Sequence, residues 1–173
     1  MISRRNFIKA LVGGAVLMPF SNVCASFYPD RRLKMLNLHT GERLNITYFS
    51  SGRYEQAAVD EINYFMRCHF TGEVKEMDIN LIDLLCDIKD TVGRSGEIEI
   101  ISGYRSPVYN ELLLQQGRNV GSNSLHLKGL AIDFSIDGVS ERKLAGIAKS
   151  FAAGGVGTYP EFVHIDVGRV RYW

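Results

Sequence analysis

Cysteine is scarce in this chain: there are three in 173 residues. The first, Cys24, stands in the amino-terminal segment. Cys68 and Cys86 lack CxxC partners, which argues against a thiolate zinc site. Both fall on apolar helical faces, where buried free thiols are expected, although an oxidising compartment would permit them to pair. An excess of one charge is also missing. The 20 basic and 19 acidic residues nearly cancel, so no basic surface argues for nucleic acid. No apolar run reaches the roughly 20 residues that span a bilayer. There is no repeat of fixed period and no low-complexity segment. The composition that remains, 46% hydrophobic and 23% charged, suits a globular core, and the length favours one domain.

The amino terminus stands apart. "SRRNFIKALVGGAVLMPFSNVCAS" begins with Arg4 and Arg5, continues as an apolar run and ends in small residues, the layout of an export signal. Ser3-Arg4-Arg5-Asn6-Phe7-Ile8-Lys9 resembles a twin-arginine signal. The competing reading is an uncleaved anchor, but the run from Ala10 to Phe20 is too short to span. Cleavage is expected after Ala25. A lipid on Cys24 is disfavoured by Asn22 and Val23 before it. This division makes residues 1–25 the signal and 26–173 a single domain. It places the mature domain in the periplasm, with the twin-arginine translocon as its partner during export.

The domain reads as α+β, with helices packed on a small, mainly antiparallel sheet. "LKMLNLHTGERLNITYF" is a hairpin around Thr40-Gly41-Glu42. Ala58, Ile62, Phe65 and Met66 recur with helical period, as do Leu81, Leu85, Ile88 and Val92 between an N-cap at Asp78 and a stop at Gly93. "EIEIISGYRS" is a strand running into a loop. Ser106-Pro107 starts a helix, residues 117–128 are a loop, and 129–136 is a strand. Ser140 caps a helix with Leu144, Ile147, Ala148 and Phe151 on one face. "AGGVGTYP" is read as a turn, since no phosphate-loop residues follow its glycines. "FVHIDVG" and "RVRYW" close the chain as strands, the second an edge strand with an aromatic anchor.

Strand alternation puts Asp133 on the face opposite Leu130, Ile132, Phe134 and Ile136. It also puts Phe162, His164 and Asp166 on one face. If the two strands are neighbours, Asp133 and His164 project together, and His126 in the preceding loop folds over them. Two imidazoles and one carboxylate suit zinc, one ion per chain, with a fourth position left for water. Zinc acidifies that water and polarises a carbonyl. A nearby carboxylate must carry the proton. Glu161, three residues before His164, is the first candidate. In a regular strand it would face away, so it serves only if the chain still bends after Pro160. Asp166 either orients a histidine or acts as the base itself. Arg105 in "SGYRS" offers a fixed guanidinium for a substrate carboxylate or an oxyanion; a loop salt bridge is its plainer role. His39 and His69 read as surface or capping residues. Tyr104 packs, or stacks at a cleft rim.

"SGYRSP", "SLHLKGLAIDF", "GGVGTYP" and "FVHIDVGRVRYW" together resemble the signatures of the zinc D-Ala-D-Ala peptidase clan. Within it they are most similar to the MepK-type murein endopeptidases. The resemblance runs from about Leu33 to Trp173, and Ser124, His126, Gly129, Ala131 and Asp133 match the S-x-H-x-x-G-x-A-x-D pattern. It implies the D-Ala-D-Ala peptidase (hedgehog-type) fold, with zinc on His126, Asp133 and His164. It also implies Arg105 and Ser124 near the substrate and hydrolysis of peptide bonds in peptidoglycan stems, including links between two diaminopimelate residues. Relatives of this type carry a longer segment between "YP" and "FVH"; here Glu161 alone stands there, at the position where broader members of the clan place a catalytic acid. That shortening keeps open a second reading, a zinc-containing module that binds stem peptides without cutting them. A carboxypeptidase that trims a terminal D-alanine is the third. A monomer is expected.

Overall fold

Alternation builds the first hairpin. In β1 (Arg31–Asn37), Leu33 and Met35 are fully buried while Arg32 and Lys34 face solvent. Asn37 turns the chain into β2 (Arg43–Ser50): its Oδ1 accepts from the backbone N–H of His39 and Thr40 at 3.0 and 3.1 Å. A two-residue β3 (Arg53–Tyr54) pairs with the end of β2. The structure is a computed structural model that describes residues 28–93 and 96–173. The export signal read at 1–25 lies outside the described residues. No helix among the described residues is long and apolar enough to cross a membrane.

Helices follow where the 3.6-residue period leads. α1 (Gln56–Phe65) buries Ala58, Ile62 and Phe65, and the apolar stripe continues into its buried C-cap, Met66. α2 (Ile79–Val92) starts where Asp78 accepts from the N–H of Asn80 and stops at Gly93 in the left-handed conformation. β4 (Ile98–Ser102) then lies parallel to β1. Ser106 caps α3 (Pro107–Gln115) by accepting from the N–H of Tyr109 at 3.2 Å, with Pro107 in the first turn.

A short 3-10 turn, Leu125–Lys128, occupies the end of the expected loop and leads into β5 (Ala131–Ile136). α4 (Glu141–Ser150) has Ser140 at its N-cap position, but the Ser140 side chain makes no capping bond. Leu144 and Ala148 are buried beneath it, whereas Phe151 falls at its C-cap and is exposed. "AGGVGTYP" is only partly a turn, because Gly155–Thr158 forms a strand, β6. β7 (Val163–Asp166) and a two-residue β8 (Arg171–Tyr172) complete one mixed sheet of eight strands in the order β3-β2-β1-β4-β5-β7-β6-β8. The β1–β4 and β6–β8 pairs are parallel and the others antiparallel. The fold is therefore α+β and mainly antiparallel, with more strands than the sequence reading contained.

The apolar core lies between helices and sheet. α2 and α4 touch each other and the central strands, and Ile132, Phe134, Val163 and Ile165 are fully buried beside them. Asp133 and Ser135, at alternate positions of β5, are buried too. A central strand buried on both faces carries polar residues only where they have partners. Ser135 donates to Glu99 at 2.8 Å. Asp133 has two histidines.

Candidate metal centre and cleft

Register brings the first two groups together. β5 and β7 are neighbours, and Asp133 is paired directly with His164. The Asp133 Oδ1 to His164 Nδ1 distance is 2.7 Å. His126 arrives from the 3-10 turn. Ser124 stands at the N-cap of that turn and accepts from the N–H of His126 at 3.4 Å, and Gly129 ends it with φ +71°. A side chain at Gly129 would have its Cβ 2.3 Å from the Glu76 carbonyl oxygen, while the Gly129 carbonyl accepts from Asp78 N–H at 2.9 Å. The "HLKG" stretch is thus a tight turn pinned to the chain before α2, and it aims His126 back over β5.

Hydrogen bonds orient both imidazoles. His126 Nδ1 lies 2.8 Å from the Gly103 carbonyl, which can only accept, so Nδ1 carries the proton. The lone pair is then on Nε2, 3.3 Å from Asp133 Oδ2 and 3.3 Å from His164 Nδ1. His164 is held the other way round. Its Nε2 donates to Asp166 Oδ2 at 3.2 Å and its Nδ1 faces the centre. The three candidate donor atoms lie within 4.8 Å of one another. Each imidazole has its second nitrogen committed to an outer acceptor, the arrangement that orients metal-binding histidines.

Electrostatics agree with a cation site. Burial disfavours the Asp133 carboxylate, but His126 and His164 outweigh it and hold its pKa well below the usual range. Burial likewise opposes charging of His164, and Asp133 and Asp166 outweigh it and raise its pKa. Asp166 is also lowered: against its burial act His164, the N–H groups of Gly155 and Gly168, and Arg171. Its Oδ1 accepts from Gly155 N–H at 3.0 Å, Gly168 N–H at 2.8 Å and Arg171 Nη1 at 3.2 Å. Arg171 Nη2 donates to Oδ2 at 2.8 Å. Asp166 is therefore a fully engaged buried carboxylate that grips His164.

The centre floors an open cleft of about 310 Å³. Arg105 lines it and is only 7% exposed. Its contacts are long: Nη1 donates to Asn110 at 3.4 Å, Nη2 to Ser102 at 3.5 Å, and Nη2 is 3.7 Å from Asp133. Its Nε has no partner. A buried guanidinium so loosely held is suited to an anion entering the cleft. Ser124 also lines the cleft.

Two sequence expectations meet different geometry. Glu161 is exposed on the turn before β7 and does not line the cleft, because only Pro160 separates it from Tyr159 and the turn points it outward. Tyr104 belongs to the apolar core, with its hydroxyl 3.5 Å from Glu73, and does not reach the cleft. Sequence reasoning missed Tyr159, Phe162, Arg171 and Trp173, which form one wall, and Asn119 and Asn123 on the lining. The aromatic spacing of "TYPEFVH" and "RYW" was the available signal. Cys68 and Cys86 are buried free thiols. His39 and His69 stack on each other at 3.7 Å, outside the cleft lining.

Two imidazoles and a carboxylate converging at the floor of an open cleft, beside a buried guanidinium, define a metal-dependent hydrolase type of site. The comparisons with known proteins agree. A profile of the family described as "Peptidoglycan L,D-endopeptidase MepK" matches residues 26–173. The Haemophilus influenzae protein described as "Probable peptidoglycan L,D-endopeptidase MepK" is 40% identical over 164 residues, 92% of this chain and 88% of the relative. The Escherichia coli K12 peptidoglycan L,D-endopeptidase MepK is 37% identical over 177 residues, 99% of this chain and 97% of the relative. No solved structure matches the chain. The chain belongs to the peptidoglycan L,D-endopeptidase MepK family of peptidases.

Proposed function

We propose that this chain is an exported zinc peptidase that hydrolyses peptide cross-links of peptidoglycan, including links between two diaminopimelate residues. The observation that carries the reading is the convergence of His126, Asp133 and His164 at the cleft floor next to Arg105. The donor set fits zinc: two imidazoles, each with one nitrogen turned to the centre, and one carboxylate would leave a position for water. Zinc held there supplies Lewis acidity and a water acidified toward neutral pH.

The protein's own groups do the rest. Asp166 holds His164 with Nδ1 turned to the centre, and the Gly103 carbonyl holds His126 with Nε2 turned to it. Arg105 receives a carboxylate. In a link from an L-centre carboxyl to a D-centre amine of diaminopimelate, the D centre keeps a free carboxylate next to the scissile nitrogen, within the reach such a guanidinium needs. As water adds to the carbonyl carbon, Glu161 takes its proton and returns it to the departing amine. That assignment requires the Tyr159–Phe162 turn to close over substrate, since catalytic contacts tighten in the bound complex. Asp166 is not the proton carrier in this reading, because every acceptor site it has is engaged.

One observation favours a binding module without turnover. Asp133 is the sole acidic side chain among the described residues lining the cleft. Digestion of defined dimeric muropeptides, read by mass spectrometry, decides. Zinc-loaded wild type should split a diaminopimelate-linked dimer into two monomers and His126→Ala should not. An intact dimer with wild type would contradict the peptidase reading; release of a single D-alanine would make it a carboxypeptidase.

Export is part of the proposal. The Arg4-Arg5 signal directs the folded domain through the twin-arginine translocon to the periplasm, where it acts as a monomer. Arg4→Lys/Arg5→Lys should leave precursor in the cytoplasm; normal export of that variant would contradict the route.

A further inference from the structure

The two glycines of β6 are explained by what lies on them. A Cβ on Gly155 would stand 2.3 Å from Asp166 Oδ2, and one on Gly157 would stand 2.7 Å from Cε2 and Nε1 of Trp173. The bare strand therefore seats the Asp166–Arg171 pair and, beside it, the indole. Trp173 is gripped on several sides. Its Nε1 donates to the Tyr159 hydroxyl at 2.9 Å. The Arg171 guanidinium lies 5.0 Å from its ring. Its backbone pairs with β6, Trp173 N–H to Val156 at 3.2 Å and Thr158 N–H to Trp173 at 3.0 Å. Yet the residue is 47% exposed, and its ring sits 5.4 Å from that of His164 on the cleft lining. Tyr159 and Phe162, stacked at 4.5 Å, extend the same wall. Asn119, Asn123 and Ser124 also line the cleft and supply amide and hydroxyl groups.

An indole held this firmly and left half open is not spent on the core. We propose that Trp173, seated on Gly157, is a specificity-determining residue: it is the apolar surface on which the saturated side chain of the residue flanking the scissile bond packs. The inference rests on the peptidase reading above and names its substrate class, a diamino diacid. Such a residue is polar at its ends and apolar only in a short run of methylenes between them. The cleft has matching parts: a guanidinium in Arg105, amides in Asn119 and Asn123, and a flat ring beside the metal centre. A D-alanine side chain has one methyl and gains little from that ring.

This chain contains one tryptophan, so its indole emission reports on the cleft wall alone. Zinc-loaded wild type titrated with the disaccharide tripeptide ending in diaminopimelate should show a saturable emission change; the disaccharide dipeptide that lacks diaminopimelate should give none. Trp173→Ala should raise KM for the diaminopimelate-linked dimer by roughly tenfold or more, with kcat within about twofold and zinc content unchanged. It should also narrow the preference over a D-alanine–diaminopimelate-linked dimer, and Trp173→Phe should recover most of the KM. Gly157→Ala, whose Cβ would stand 2.7 Å from the indole and displace it while removing no cleft side chain, should raise KM in the same direction. An unchanged KM in Trp173→Ala, a fall in kcat accompanied by lost zinc, or no emission change with the tripeptide would each overturn the proposal. The last two would make the indole a prop for His164 or a bystander. Absence of cleavage by wild type with the emission change intact would sink the peptidase reading and leave the wall as a binding surface.

Discussion

Replacing Asp166 with asparagine removes one charge and almost no volume. The substituted amide keeps an oxygen for the Gly155 and Gly168 N–H groups, which bond Oδ1 of Asp166 at 3.0 and 2.8 Å in the wild type. Its NH₂ then faces Arg171 Nη2 and His164 Nε2, both of which are donors in the wild type. Donor against donor cannot persist. His164 escapes by moving its proton from Nε2 to Nδ1, which fills the lone pair aimed at the metal centre. Loss of such an outer carboxylate typically costs 10- to 100-fold in metal affinity, about 1.4–2.7 kcal/mol. The fold loses a comparable amount. Asp166 is fully buried, but the Arg171 side chain is 38% exposed and water takes over part of its solvation, so roughly 1–3 kcal/mol is expected. Competition against a zinc chelator measures the first quantity, and thermal unfolding of the chelated protein measures the second. With excess zinc, kcat should return to near wild type. The reasoning fails if zinc affinity is unchanged while kcat falls by about 10²–10⁴ at saturating zinc, since that is the signature of a proton carrier.

Chelation should abolish cleavage of sacculi and stoichiometric zinc should restore it; full activity in the metal-free protein would reject the mechanism. Glu161→Gln should lower kcat by roughly 10²–10⁴ with little change in KM. Wild-type kcat in that variant would move proton transfer to solvent. Arg105→Lys loses the planar fork and should lower kcat/KM on the diaminopimelate-linked dimer about 100-fold, and unchanged kinetics would remove Arg105 from the site. Gly129→Ala meets both a left-handed φ of +71° and the Glu76 carbonyl, and should cost about 3 kcal/mol, lowering Tm by roughly 6–12 °C. A Tm within a degree of wild type would show that the turn does not need glycine.

The centre was legible because strand alternation is a local rule. Counting twos is enough to place Asp133 and His164 on polar faces, and their pairing needs only the two strands to be neighbours, which they are. His126 needs more: a 3-10 turn closed by a left-handed glycine, which sequence shows only as a loop ending in Gly129. What stays hidden depends on long-range pairing. Glycine is a poor strand former, so "GGVG" reads as a turn until Asp166, Arg171 and Trp173 are seen to occupy the space its side chains would need. Arg171 and Trp173 reach the cleft because β8 lies parallel to β6, a crossover that no local pattern announces. At Glu161 two sequence cues diverge. Its spacing from His164 matches a pattern, while strand alternation already turns it away, and in the structure it faces solvent. For Tyr104 the sequence permits both packing and a place at the cleft rim, and burial beside Glu73 settles it as core.

Zinc stoichiometry by elemental mass spectrometry of the purified protein tests the central assignment most directly. Wild type should carry one zinc per chain. His126→Ala, Asp133→Ala and His164→Ala, each confirmed folded by circular dichroism, should carry almost none. A full equivalent of zinc retained in all three variants would place the metal elsewhere and contradict the account.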